Sequence, residues 1–243
     1  MKGLKEILEY RRSVRTYDSN RRIDSEKVRQ CLELALLAPT SSNMQLWECL
    51  HITDREVLKN LSIACLNQSA AKTAQEMVVF VTRQDLYIER AKDALAFERE
   101  NVKRNGSPEK YEKHIKNWEI YYGKIIPLIY GRFFGMLGLL RKFIALSTGI
   151  FRPMMREVSE NDIRVTVHKS CALAAQTFML AMAEQNYDTC PMEGFDSRRV
   201  KKILQLPFNT EINMIIACGI RDEETGVWGE RFRVPFEKIY KKI

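Results

Sequence analysis

The sequence predicts a β-sheet covered by helices. Two apolar runs carry that prediction, Met77-Val78-Val79-Phe80-Val81 and Ile212-Asn213-Met214-Ile215-Ile216-Ala217-Cys218, which both read as buried strands. Helical sequence separates them, and two strands so spaced imply helices packed on the sheet faces. A chain of 243 residues can form one large core with a substantial excursion.

In chain order, Leu4, Ile7 and Leu8 recur at helical spacing and predict a short first helix. Asp24 or Ser25 can cap a second helix running to about Ala38, with Val28, Leu32, Ala35 and Leu36 as its apolar stripe and Pro39 as its stop. A strand is expected over Leu46 to Ile52, then a helix capped by Thr53 and running to about Ile63. After the Met77–Val81 run the pattern turns charged and helical. The breaker Asn105-Gly106-Ser107-Pro108 divides it into a helical hairpin, Gln84 to Asn105 and Pro108 to Tyr122.

From Ile125 to Met155 the chain is apolar, with Phe133, Phe134, Leu139, Leu140, Phe143 and Ile144 among many such residues. Three uses stay open for this patch: packing against the main body or a partner subunit, lining an apolar channel, or touching a bilayer. Arg132, Arg141 and Lys142 interrupt it, so it lacks the roughly 20 predominantly apolar residues of a membrane span. A buried helix follows from about Ile163 or Thr166 to Gln185, rich in Ala on both faces, and Ser197 can cap a last helix through Leu204.

The formal charge of +8 comes from Lys and Arg interspersed with Glu and Asp on helical faces, which reads as a solvated surface rather than a nucleic-acid interface. Six scattered cysteines contain no CxxC pair, the amino terminus has no apolar leader core, and a reducing cytoplasm is expected. Three histidines without clustered Cys or carboxylate partners argue against zinc, and His168 reads as a capping or packing residue. No phosphate-binding Gly-rich loop or nucleophile elbow is present.

What remains are four polar stretches. Arg11-Arg12-Ser13-Val14-Arg15-Thr16-Tyr17 places three guanidiniums and a hydroxyl together, a donor set that suits either an anion cradle or a solvated basic turn. Thr40-Ser41-Ser42-Asn43-Met44-Gln45 is a connection or a holder of a polar ligand. In Pro191-Met192-Glu193-Gly194-Phe195-Asp196, Pro restricts the backbone and Gly194 permits close approach. Arg231 and Arg233 in an extended terminal piece project to one side.

In this order, these four motifs resemble those of the nitroreductase family of flavin enzymes, over most of the chain outside roughly Gln84 to Asp162. The resemblance implies an α+β fold with a central mixed sheet flanked by helices. The whole of residues 1–243 would form one nitroreductase-like domain, and residues 84–162 a helical insertion serving as a lid or pocket element. It implies a homodimer with FMN at the subunit interface. Arg11, Ser13, Arg231 and Arg233 would meet the phosphate, while Arg15 and Asn67 would address the polar edge of the flavin ring. Thr40, Ser41 and Asn43 would come from the other subunit. Pro191, Met192, Glu193 and Gly194 would pass N5, with Glu193, Gly194 and Arg15 nearest the chemistry.

The implied reaction is ping-pong hydride transfer from NAD(P)H through the flavin to a nitroaromatic, quinone or related small acceptor; membrane and nucleic-acid contacts are not expected. Two other readings are a flavin-dependent reductive dehalogenase and a nonenzymatic basic helical module. The chain departs from the family pattern at Leu46, where many relatives have Pro, and at Ala70, where a cation is common and Lys72 follows two residues later.

Overall fold

Residues 3–243 are described by the structure, a computed structural model. Its sheet contains β1 (Trp47–Ile52), β2 (Glu76–Thr82), β3 (Asp188–Met192) and β4 (Glu211–Gly219) in the spatial order β1-β2-β4-β3. Every residue of β2 is buried, because β2 lies inside the sheet with both faces covered. Alternation along the strand separates the two cores. Met77, Val79 and Val81 point into one, with Ile215 and Ala217 of β4; Val78 and Phe80 point into the other, with Ile216 and Cys218.

The fold is α+β as expected, but the ladders between the described strands are antiparallel rather than mixed. Parallel pairing is confined to one isolated bridge, Ser13 to Thr189. The connections between neighbouring strands carry helices, yet each strand enters the sheet reversed, so local composition could not reveal its direction.

Helices α1 (Leu4–Tyr10), α2 (Ser25–Ala35), α3 (Arg55–Ala64) and α4 (Ser69–Thr73) precede β2. An excursion of α5 (Tyr87–Asn105), α6 (Tyr111–Ile120), α7 (Ile126–Tyr130) and α8 (Met136–Thr148) follows, then α9 (Glu160–Glu184) and, after β3, α10 (Ser197–Ile203). Leu58 and Leu61 of α3, Ala70 and Ala71 of α4 and Val200 of α10 cover one sheet face. Val28, Cys31 and Ala35 of α2 pack with Cys171, Ala174, Phe178 and Met182 of α9 over the other. Phe80 ties the sheet to both neighbours, its ring 5.9 Å from Trp47 and 5.8 Å from Phe178.

Three helix starts differ from expectation, and at two of them a carboxylate accepts the orphan N–H groups. Asp54, not Thr53, caps α3 through Val57 N at 2.9 Å. Asp196, not Ser197, caps α10 by accepting from Arg198 N and Arg199 N. Helix α9 begins earlier than predicted because Ser159 and Asp162 form a reciprocal box. Helix α2 stops at Ala35, three residues before the predicted end, and unwinds through turns toward Pro39.

The excursion divides its apolar residues. Tyr122, Ile126 and Tyr130 are buried against Met44, Leu46, Ile163 and Val167, forming a third core under the 40–46 stretch. The inward face of α8 presents Gly138, Arg141 and Ala145, and Arg141 Nη1 donates to the carbonyls of Leu128, Ile129 and Gly131 that end α7. Phe133, Phe134, Leu139, Phe143, Ile150 and Phe151 face outward. Among the described residues no helix is long and apolar enough to cross a membrane.

Glu211 anchors this excursion to the sheet. Its carboxylate meets Arg132 at 3.3 Å, Arg164 of α9, and His168 Nε2 at 3.2 Å, while Asn213 Nδ2 sits 3.1 Å from His168 Nδ1 and orients the ring. His168 is therefore a positioned packing residue, as its sequence context suggested. The His168 hydrogen bond, with Arg164 and Arg132, lowers the Glu211 carboxyl to about 2. A carboxylate lowered in the folded state contributes stability above its unfolded value, and that stability is lost as pH falls from about 4.5 through about 2. Glu211→Gln should remove about 1–3 kcal/mol at neutral pH and flatten that acid limb in urea melts collected across pH.

A second buried carboxylate sets the chain ends. Asp188, 2 % exposed, accepts from Arg221 N at 2.7 Å and from Arg221 Nε at 2.9 Å. Arg221 also donates to the Tyr10 carbonyl and lies 4.4 Å over the Tyr10 ring. Asp188→Ala leaves the Arg221 guanidinium without its counter-charge, and the expected loss is about 3–5 kcal/mol, read as a lowered urea midpoint.

Candidate anion and cofactor site

The Arg11–Tyr17 stretch is extended rather than a turn, and its alternation explains the sequence. Val14 is fully buried and donates its N–H to Thr189 O at 3.2 Å, so Ser13 and Arg15 on either side turn outward. Tyr17 is buried too, its hydroxyl donating to Ala217 O at 2.9 Å. Gly219 makes this possible: a Cβ there would lie 2.5 Å from the Tyr17 ring. The segment thus runs beside β3, the strand that leads into Pro191–Gly194.

Arg11, Ser13 and Arg15 line a cavity of about 230 Å³ together with Arg12, Glu230, Arg231 and Arg233 from the two chain ends. Five guanidiniums face one carboxylate there. Burial and then the charges of Arg231 and Arg233 push the Arg11 guanidinium below its usual value. The members are not equivalent. Arg231 donates through Nη1 to Leu8 O at 2.9 Å and through Nη2 to Glu9 O at 3.1 Å and to Arg11 O, so it caps the carboxyl end of α1. Arg12 Nη2 donates to Gly229 O at 2.9 Å, and Arg233 Nη1 to Phe232 O at 2.7 Å. Among the described residues, the side chains of Arg11, Ser13 and Arg15 have no hydrogen-bond partner, and their donors are available to a ligand.

The Pro191–Gly194 stretch leaves the sheet at this end. Pro191 lies in β3, an edge strand where its missing N–H is tolerated, and Met192 is buried. Glu193 and Gly194 are exposed beyond it. Gln68 Nε2 holds the loop by donating to Gly194 O at 2.7 Å and to Cys65 O at 3.0 Å. A Cβ at Gly194 would meet only Gln68 Nε2, at 3.4 Å, so the chain itself leaves open space in front of this residue.

Thr40, Ser41 and Asn43 are elsewhere. Their turn holds Ser42, Asn43 and Gln45 at φ of 53°, 51° and 46°, a left-handed run in non-glycine residues. Tyrosines of the excursion hold it in place: Tyr121 Oη is 2.8 Å from Ser42 Oγ, Tyr122 donates to Ser42 O and Tyr130 to Ser41 O. Asn43 lines a separate cavity of about 360 Å³ with Gln45, Arg90, Phe97 and Tyr122. Asn67, at φ 53°, lines a third cavity, away from that of Arg15, and Lys72 lies in the same one. Within one chain, then, the arginine segment and both chain ends converge, whereas the 40–43 turn and Asn67 do not line their cavity.

Sequence reasoning missed Asp188, Arg221, Gln68 and the three tyrosines. All act across long sequence separations, and only the Tyr121-Tyr122 pair at the end of a charged helix hinted at a polar task. Among the described residues no group of His, Cys, Asp or Glu could hold a metal.

Comparison with known proteins bears on the family and the fold. The chain is 27% identical over 214 residues to the protein DrgA of Synechocystis, covering 88% of this chain and 82% of that relative. It is 22% identical over 232 residues to the oxygen-insensitive NADPH nitroreductase of Helicobacter pylori, covering 95% and 93% of the two chains. Its fold matches that of a Nitroreductase Family Protein from Streptococcus pneumoniae with a TM-score of 0.68 at 20% identity, over 99% of this chain and 100% of the other. A protein from Exiguobacterium sibiricum assigned as a nitroreductase, solved in complex with FMN, matches with a TM-score of 0.68 at 20% identity over 100% and 98%. The sequence model of the nitroreductase family spans residues 8–220, and this chain belongs to that family.

Proposed function

We infer that this protein is an FMN-dependent NAD(P)H oxidoreductase. The observation that carries the reading is the convergence of Arg11, Ser13 and Arg15, with free donors, beside Arg231 and Arg233 on one cation-rich cavity. A flavin phosphate fits this donor set: Arg11 offers a planar fork, Ser13 a hydroxyl, and the terminal arginines offset its charge. The open space before Gly194 fits the flat ring of the same cofactor. FMN held there by Arg11, Ser13 and the terminal arginines would supply the redox chemistry between NAD(P)H and a nitroaromatic, quinone or related acceptor.

The chain's own part is binding and tuning. Arg15 would face the polar edge of the ring and favour its electron-rich reduced form, and the loop of Pro191, Met192, Glu193 and Gly194 would shape the space beside it, with the backbone N–H groups of Glu193 and Gly194 as donors.

Thr40, Ser41 and Asn43 reach the cofactor from a second copy of the chain, and the cofactor lies between subunits. Support comes from Asn43 lining a different cavity, from the absence of Thr40 and Ser41 from the arginine one, and from the apolar surface that one chain leaves uncovered. Phe134 is 96 % exposed, Trp228 94 % and Phe151 88 %, more than an isolated chain ordinarily presents. In this reading residues 1–243 act as one domain, and residues 84–162 form the wall of the acceptor pocket, for which the tyrosine clamp on the 40–45 turn is the support. The six unbridged cysteines fit a reducing, cytoplasmic setting; burial pushes the Cys31 and Cys65 thiols up to about 11, so they are inert.

The purified protein should be yellow, its flavin bands bleached by NAD(P)H and restored by a quinone or nitroaromatic. A colourless protein that FMN cannot reconstitute overturns the assignment. Arg11→Ala should weaken FMN binding by about 1.5–3 kcal/mol, roughly 10- to 150-fold in Kd. Arg15→Ala should shift the flavin reduction potential more than Arg12→Ala, because Arg12 is engaged with Gly229 O; equal shifts for the two variants count against the division of roles.

A further inference from the structure

A second one-signed cavity, of about 490 Å³, lies between α3, α4 and the loop before α2. Arg55 and Lys59 are one turn apart on α3 and face it together; Lys72 of α4 and Arg22 of the preceding loop complete a ring of four cations, and no carboxylate lies on its lining. On other helical faces several basic side chains are matched by acids: Arg29 with Glu26 and Glu33, Arg99 with Glu119, Lys103 with Glu100, Arg199 with Asp196. Among the described residues Arg22, Arg55, Lys59 and Lys72 make no ion pair and no side-chain hydrogen bond. Four like charges converging from three elements repel one another unless an anion joins them.

The cavity is also built rather than incidental. Gln75 brackets the loop that presents Arg22, donating to Asp18 O at 2.7 Å and Arg21 O at 2.6 Å and accepting from Ile23 N at 3.0 Å. Asn67 is held at φ 53° by its N–H to Ser62 O at 3.0 Å, which leaves its amide at the cavity with no partner among the described residues. Two forked guanidiniums, two ammonium groups and an amide suit the three oxygens of a phosphomonoester dianion, and the volume leaves room for more than the phosphate itself.

We propose that this cleft binds a phosphomonoester. Asn67 immediately precedes Gln68, the residue that holds Gly194, so the cleft and the cofactor loop are linked through adjacent residues. The 2′-phosphate of NADPH is one source of that chemistry and free phosphate the other. The dinucleotide source rests on the reductase reading above, but the anion site does not.

Calorimetric titration of the full-length protein with NADP+, NAD+ and inorganic phosphate, in wild type, Arg55→Ala/Lys59→Ala and Arg55→Lys/Lys59→Arg, tests it. NADP+ and NAD+ differ only by the 2′-phosphate. The wild type should bind NADP+ at least tenfold tighter than NAD+, the alanine pair should abolish that difference, and the charge-conserving pair should retain most of it, with flavin content equal in all three. Phosphate binding lost in the alanine pair, with NADP+ and NAD+ equal, identifies free phosphate as the ligand and still supports the site. Absence of both a phosphate response and an NADP+ preference in the wild type overturns the proposal, as does either one persisting unchanged in the alanine pair. A colourless preparation would speak against the flavin reading alone, since the phosphate titration can be read without flavin.

Discussion

The site depends first on the contact between Asp188 and Arg221. A carboxylate with almost no access to water persists only where donors replace its hydration, and Arg221 supplies them from both its backbone and its guanidinium. The same guanidinium reaches the Tyr10 carbonyl and covers the Tyr10 ring, so one residue joins β3, the exit of β4 and the end of α1. Arg11 begins one residue later. Its direction, the extended run to Tyr17 and the bridge between Ser13 and Thr189 follow from that junction, and Arg231 closes it from the other end of the chain.

The doubly covered sheet makes this arrangement rigid. Because β2 and β4 face a packed core on each side, the edge strand β3 and the segment beside it rest on a fixed platform. The excursion attaches at another place, through Glu211 and through tyrosines on the 40–45 turn. That turn keeps three non-glycine residues in left-handed conformation, a local strain of the kind found where a ligand or a partner must be met.

Charge is distributed unevenly in a way that net charge conceals. Several basic residues sit in pairs with acids on exposed helical faces, where each pair contributes little to stability. Among the described residues, cations without an ion pair gather at two cavities, one formed by the chain ends and one between α3 and α4.

Hydrophobic period and turn chemistry made much of the fold legible in the sequence: both buried strands, the helical hairpin, the Ala-rich buried helix and the breaks at Pro39 and Gly106 were read from local pattern. The four polar stretches were visible as well, because clustered guanidiniums and a Pro-x-Glu-Gly loop are local features. Helix starts at Asp54, Asp196 and Ser159 were displaced by a few residues, since neighbouring side chains compete for the same N–H groups and geometry picks the winner. Strand direction, the capping of α1 by Arg231 and the partnership of Asp188 with Arg221 could not be read in advance. Each joins residues far apart in the chain, and nothing in local spacing encodes which distant partner a side chain will meet. The sequence by itself determined which residues could bind an anion. The tertiary structure alone decided which kept their donors free, because only folding shows which guanidiniums are taken up by carbonyls at the end of a helix.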